Sequence, residues 1–250
     1  MISAGMIYDY INSIAPFDTA MGFDNVGILV GSRSAESERV LLALDVTGDV
    51  INEAAALGAG IILTHHPVIF SPLKRLDTDS SAYRLAASGI TVISAHTNLD
   101  IAPGGVNDTL AQALGISSEE GTDGECMLVG SLSGEISADE LALEIKNKLG
   151  CAGLRYWRRR GSIRTVAVAC GAGGSSIFAA AQRGADALIT GEIKHHEIIF
   201  AHENNIAVFD AGHFRSEDLI IEKLASMLGS QFPDTEFIKA ESDTDHAVYI

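Results

Sequence analysis

Two stretches of this chain repeat one pattern, and that repeat limits the folds open to it more than any other feature. Residues 40–64 (VLLALDVTGDVINEAAALGAGIILT) align without a gap on residues 166–190 (VAVACGAGGSSIFAAAQRGADALIT), an offset of 126 with nine identities in 25 positions. Random pairing at about one match in fifteen would give roughly two. Each stretch reads as an apolar strand, a glycine-containing turn, an alanine-rich helix, a glycine and a second apolar strand ending in threonine. That is a βαβ unit, whose two strands run parallel through a right-handed crossover. Further on, GITVISAHTNLD (89–100) and NIAVFDAGHFRSE (205–217) are each a β-branched strand followed by His-x-x-x-acid. They set His96 and Asp100 opposite His213 and Glu217 at an offset of 117. The expected fold class is therefore α/β, with two similar domains from an internal duplication.

The polar run SSEEGTDGE (117–125) marks the expected boundary, giving a first domain over 1–125 and a second over 126–228. The tail, 229–250, is read as returning to the first domain, with EFIK as a closing strand. A helix is predicted over 138–149, with Ser137 as N-cap and Gly150 as its stop. Another is predicted over 217–228, ending near Gly229. The opening MISAGMIYDYINSIAPFD reads as an amphipathic helix, since it lacks the basic and long apolar regions of a signal peptide. No apolar run reaches the 18 uncharged residues of a membrane span, so a cytoplasmic protein without a membrane partner is expected.

Cys126, Cys151 and Cys170 form no CxxC pair, which fits a reducing compartment, and Cys170 reads as a buried free thiol. The net charge of −16 and pI of about 4.7 oppose a general grip on duplex DNA. Arg155, Arg158, Arg159 and Arg160 around Trp157 are the one local exception, read as a solvated hairpin with ordinary surface charge.

Ligands of parallel α/β sheets collect at the carboxyl ends of strands. Histidines stand at such points throughout: His65 and His66 after IILT, His96 after VISA, His195 and His196 after ALITGEIK, and His213 after VFDAG. A single histidine after a strand is ordinarily a loop or core residue. Two histidine pairs and two His-x-x-x-acid units, all past strand ends, point instead to a metal centre. Imidazole and carboxylate suit Zn, Mn, Fe or Ni, and the absence of cysteine ligands favours a catalytic or substrate-binding site over a structural one. Adjacent histidines point in different directions, so each can serve a different ion. A bridging carboxylate holds two cations roughly 3.5–4 Å apart and lowers the pKa of a shared water. Other motifs carry less. GAGG (171–174) has neither a Walker lysine nor a full GxGxxG and reads as a tight βα turn. His196-Glu197 is no HExxH helix because residue 200 is Phe, and Ser94 and Cys170 lack the pattern of a nucleophilic triad.

These residues closely resemble the GTP cyclohydrolase I type 2 homologues, a YbgI-like group of dinuclear metal-binding proteins. The matching motifs are FDNVGILVG (23–31), THHP (64–67), SAHTNLD (94–100), TGEIKHHE (190–197) and AGHFRSE (211–217), in order over nearly the whole chain. The resemblance implies that His65, His66, Asp100, His213 and Glu217 hold two divalent ions, with Glu217 bridging. It leaves His96, His195 and His196 as proton carriers or as groups that orient ligands and water, with Asp24 and Asn25 lining the same cleft or making a structural turn. It also implies that the two α/β domains are interlinked, with the metal site between them, and that the protein is a toroidal homohexamer.

The reaction implied by the family name is water-driven opening of the purine ring of GTP, with a nucleotide or related small molecule as substrate. No purine-reading motif or phosphate clamp stands out in the sequence. Two other readings stand beside it: a metal-handling or chaperone protein that uses the same ligands without turnover of its own, and a ring-shaped scaffold for DNA or a protein partner, with Arg158 to Arg160 lining the hole.

Overall fold

The computed structural model describes residues 1–118, 122 and 126–249. By contact density the chain divides into two units, Met1–Ala102 with Ile220–Thr244, and Pro103–Leu219 with Asp245–Ile250. These limits differ from the boundary read near residue 125, most of whose polar run lies outside the described residues. The difference assigns the helix Val106–Leu114 to the second unit. Its Asn107 donates from Nδ2 to the Cys126 carbonyl at 2.9 Å and accepts from the Cys170 amide at 2.8 Å.

In the first unit the chain runs β1 (Ile2–Ser3), α1 (Ala4–Ile14), β2 (Gly27–Val30), β3 (Glu36–Ser37), β4 (Arg39–Ala43), α2 (Gly48–Leu57), β5 (Ile61–Thr64), α3 (Ser81–Ser88), β6 (Thr91–Ser94) and α4 (Thr97–Ile101). The second unit adds α5 (Val106–Leu114), β7 (Leu128–Ile136), α6 (Ala138–Leu149), β8 (Arg155–Trp157), β9 (Ile163–Ala169), α7 (Ile177–Gln182), β10 (Ala187–Thr190), α8 (His195–Glu203), β11 (Ala207–Asp210) and α9 (His213–Glu217). The chain then returns through α10 (Leu219–Gln231) and β12 (Glu236–Lys239) to the first unit.

The duplication is visible as strand register. In one sheet Val40 to Ala43 pair parallel with Ile61 to Thr64; in the other Val166 to Ala169 pair parallel with Ala187 to Thr190. Every partner is displaced by the same 126 residues found in the sequence. A third parallel strand follows in each, β6 beside β5 and β11 beside β10, with an antiparallel strand outside it. The full orders are β12-β4-β5-β6-β2 and β7-β9-β10-β11-β8. The two sheets differ at the first edge, where β12 runs parallel to β4 but β7 runs antiparallel to β9.

Strands β5, β6 and β10 are buried at every residue, as expected where helices cover both faces of a parallel sheet. Leu41, Ile62 and Val92 pack with Val50, Ala54 and Leu85 in one core; Ala167, Leu188 and Val208 pack with Ile177, Ala180 and Ala201 in the other. Helix α6 occupies the predicted span. Ser137 and Glu140 close a capping box at its start, and Gly150 ends it at φ +63°.

The helix expected over 217–228 is instead two helices, α9 and α10, and α10 continues through Gly229 to Gln231. An interior glycine costs only about 1 kcal/mol, and Ile220, Ile221, Leu224 and Leu228 anchor the buried face on its amino-terminal side. The arginine-rich segment is not a hairpin with β9, because β8 pairs antiparallel with β11. Three of its four arginines are held by acids: Arg155 by Asp210 at 2.7 Å, Arg158 by Asp139 at 2.5 Å, and Arg159 by Asp186. Among the described residues no helix is long and apolar enough to cross a membrane.

Candidate metal centre

Within the first unit the carboxyl ends of β5 and β6 bring three imidazoles together. The ring centroids of His65, His66 and His96 are 5.0, 5.1 and 5.5 Å apart pairwise, and one donor atom from each lies within 4.8 Å of the others. Each ring is fixed through Nδ1. His65, fully buried, meets the Ala95 carbonyl at 2.8 Å; His66 meets Asp45 at 3.0 Å; His96 meets Asp24 at 2.9 Å. A carbonyl or an ionised carboxylate can only accept, so Nδ1 is the donor and Nε2 of the neutral ring carries the lone pair. That is how ligating histidines are ordinarily oriented. Asp100, buried on α4, sets Oδ1 3.5 Å from Nε2 of His65.

Asp24 is built to hold His96. Besides the ring it accepts the Thr97 amide at 3.0 Å, the Thr97 hydroxyl at 2.5 Å and the Asn25 amide at 2.8 Å. Burial pushes its carboxyl up, but the hydrogen bonds from His96 and Thr97 outweigh that and hold it well below the usual carboxylate range. The His96 amide donates to Asn98 Oδ1 at 3.0 Å, and Asn98 Nδ2 donates to the Ala15 carbonyl at 2.8 Å, tying the start of α4 to the end of α1.

Within the second unit His213 and Glu217 lie one turn apart on α9, with Nε2 and Oε2 3.1 Å apart. Glu192, on the loop after β10, meets His213 Nδ1 at 2.6 Å and so plays the part that Asp45 plays for His66. Ser216 locks the turn by donating to the His213 carbonyl at 2.7 Å and accepting the Gly171 amide at 2.9 Å. Gly171, at φ +55°, is required here: a Cβ would collide with the Glu217 carboxylate and come within 3.0 Å of His213 Nε2. The GAGG turn thus serves to clear space beside these two side chains.

The donor chemistry is that of a site able to hold a metal ion. All four imidazoles engage a partner through Nδ1 and leave Nε2 as the acceptor nitrogen, carboxylates accompany them, and the buried Cys151 and Cys170 supply no ligand to either cluster. Of the residues singled out in the sequence, His65, His66, His96 and Asp100 converge in one unit, and His213 with Glu217 in the other. His195 and His196 stand exposed at the start of α8, and no hydrogen bond or ion pair joins them to His213 or Glu217. The sequence reading missed Asp45 and Glu192. The repeat contained the signal, since Glu192 is the counterpart of His66 at the same offset of 126.

Fold and site together define a duplicated α/β protein with histidine–carboxylate donor sets at the carboxyl ends of its parallel strands. The family model for Duf34/NIF3 (NGG1p interacting factor 3) matches residues 2–246, and the chain belongs to that family. It is 36% identical to a Clostridium perfringens protein named GTP cyclohydrolase 1 type 2 homolog, over 98% of each chain. It is 31% identical to a Helicobacter pylori protein named GTP cyclohydrolase 1 type 2, covering 83% of this chain and 84% of that one. Among solved structures, Staphylococcus aureus protein SA1388 superposes with a TM-score of 0.91 at 26% identity, over 99% of both chains. The protein ybgI superposes with a TM-score of 0.86 at 26% identity, over 97% of this chain and 100% of that one.

Proposed function

We propose that this chain is a metal-dependent hydrolase in which His65, His66, Asp100, His213 and Glu217 hold two divalent ions, with Glu217 shared by both. The observation that carries the reading is the common orientation of the four imidazoles, each with Nδ1 occupied by a carbonyl or carboxylate and Nε2 turned to ligation. Zn, Mn, Fe and Ni all suit this nitrogen and oxygen set. Such ions, when bound, supply activation of water and stabilisation of developing negative charge. His96 is the best-placed proton carrier, because Asp24 fixes its ring while the side chain keeps 18% exposure. His195 and His196 are secondary candidates for the same role.

The substrate class is a nucleotide or related small molecule, opened by water in the manner of a GTP cyclohydrolase; the name of the H. pylori relative supports this choice. We assign the protein to the cytoplasm, as a toroidal homohexamer with no DNA partner. Pairing of Arg155, Arg158 and Arg159 with acids leaves little free positive charge for phosphates. Glu217→Ala tests the core of the reading. It should lower metal content by elemental analysis and abolish turnover across a panel of nucleotides and phosphoesters. Wild-type metal content in that variant, or no turnover of any panel member by the metal-loaded protein, would sink it.

One observation favours a second reading, metal transfer without turnover. His213 is 35% exposed and its partner Glu192 is 59% exposed, so one end of the donor set faces solvent and a competing acceptor could reach it. Metal that fails to exchange with an external chelator would count against this alternative.

A further inference from the structure

Two phenylalanines stand exposed beside the histidine cluster of the first unit, and the reaction proposed above makes no use of them. Phe23 precedes Asp24 and is 63% exposed; Phe70 follows the His65–His66 loop and is 49% exposed. Their ring centroids lie 6.2 Å apart at 48°. Phe70 also meets His96 edge-on, with centroids 6.4 Å apart. The two loops are joined rather than adjacent by accident, because Asn25 Nδ2 donates to the Ile69 carbonyl at 2.5 Å. One loop therefore carries an aromatic ring and the carboxylate that fixes His96, while the other carries an aromatic ring and two of the candidate ligands.

Large aromatic side chains left in water next to a polar cluster are the exception in a folded domain. Their value here lies in their faces. A planar heteroaromatic ring stacks on Phe through dispersion and quadrupole terms and needs no hydrogen-bond pattern. That also accounts for a sequence with no purine-reading motif. From these placements we infer that Phe23 and Phe70 form a stacking platform for the planar heteroaromatic ring of the substrate, holding it against His96. The inference rests on the hydrolase reading for the word substrate, but the binding it describes is measurable without turnover.

The test uses the full-length, metal-loaded protein and 2-aminopurine riboside 5′-triphosphate, whose fluorescence is quenched on stacking. Saturable quenching is expected, with ribose 5-phosphate failing to compete. Phe70→Ala and Phe23→Ala should each weaken the probe about tenfold at unchanged metal content, in keeping with the loss of one stacked contact. Phe70→Tyr should retain binding, and Phe70→Leu, which keeps the apolar area but loses the π face, should not. Wild-type affinity in both alanine variants would overturn the proposal. So would equal binding by Phe70→Leu and Phe70→Tyr, or a change in oligomeric mass on Phe70→Ala, which would make the patch a contact between copies of the chain. Failure of Glu217→Ala to lose metal would refute the hydrolase reading while leaving the quenching result to stand or fall independently.

Discussion

Replacing Gly171 by alanine separates two costs that the structure assigns to one position. The first is conformational. At φ +55° an alanine sits in the left-handed region, which costs about 1–2 kcal/mol. The second is steric, since the new Cβ would collide with the Glu217 carboxylate and crowd His213 Nε2 at 3.0 Å. Moving a side chain in a packed site adds about 1–3 kcal/mol. Because the displaced groups are the proposed ligands, metal affinity should fall about 10–100-fold, the usual effect of disturbing what stands behind a ligand. Gly184 supplies the control. It lies in the same unit at φ +71°, but nothing lies within 4 Å of its would-be Cβ. Gly184→Ala should lose only the conformational part of the stability and none of the metal. Thermal unfolding of the metal-free proteins reads the first difference, and competitive chelator titration reads the second. Equal losses of stability and of metal affinity in the two variants would refute the collision argument.

Asp45→Ala removes the acceptor that sets the His66 ring and should weaken metal binding about 10–100-fold without unfolding the protein, as measured by chelator competition and circular dichroism. Asp24→Asn should change the acid limb of the stability profile. Hydrogen bonding holds the folded carboxyl below its unfolded value of about 3.9, so the group stabilises the fold above that pH and loses its contribution as pH falls toward the folded value. Denaturant midpoints between pH 7 and pH 3 should therefore fall less steeply in the variant. Ser137→Ala opens the capping box of α6 and should cost about 1 kcal/mol with no effect on metal content; a larger metal effect than stability effect would contradict the assignment.

How much of this was legible in the sequence depends on the range of each interaction. The strand register was legible because the repeat copies side-chain burial position by position, and parallel strands buried on both faces carry a plain apolar signal. The α6 helix was legible because its cap and stop are local chemistry within four residues of each end. The partner of His96 was not, since Asp24 lies 72 residues earlier and no periodicity links them. Glu192 was within the motif TGEIKHHE, but the chemistry was given to the two histidines that follow it rather than to the carboxylate. The repeat sets His96 with Asp100 opposite His213 with Glu217, but it carries no sign of the partners each takes: the fold gives His96 to Asp24 and sets Asp100 toward His65. The break at Asp218 was illegible for another reason: apolar spacing continues across it, and the split into α9 and α10 coincides with the passage of the chain from one unit to the other.

The comparison of the two copies explains why their donors differ. At the offset of 126, Asp45, His65 and His66 correspond to Gly171, Gly191 and Glu192. The first copy therefore places imidazoles directly on the end of its second strand. The second copy empties that position, and the emptiness is needed. A Cβ at Gly191 would lie 2.6 Å from Ser216 Oγ and 2.8 Å from the His213 Cα, so a histidine there would exclude α9 from its place. One added residue after the third strand, Gly212 at φ +88°, accompanies the change. With it His213 becomes the first residue of α9, whereas His96 stands one residue before α4 as its cap. The helix in the second copy thus begins on its histidine and presents Nε2 and the Glu217 carboxylate together, 3.1 Å apart, while in the first copy the equivalent pair is split between two partners. Duplication supplied the same scaffold twice. Three strand-end positions and one extra glycine account for the difference between the two donor sets, one rich in imidazole and one built around a buried carboxylate.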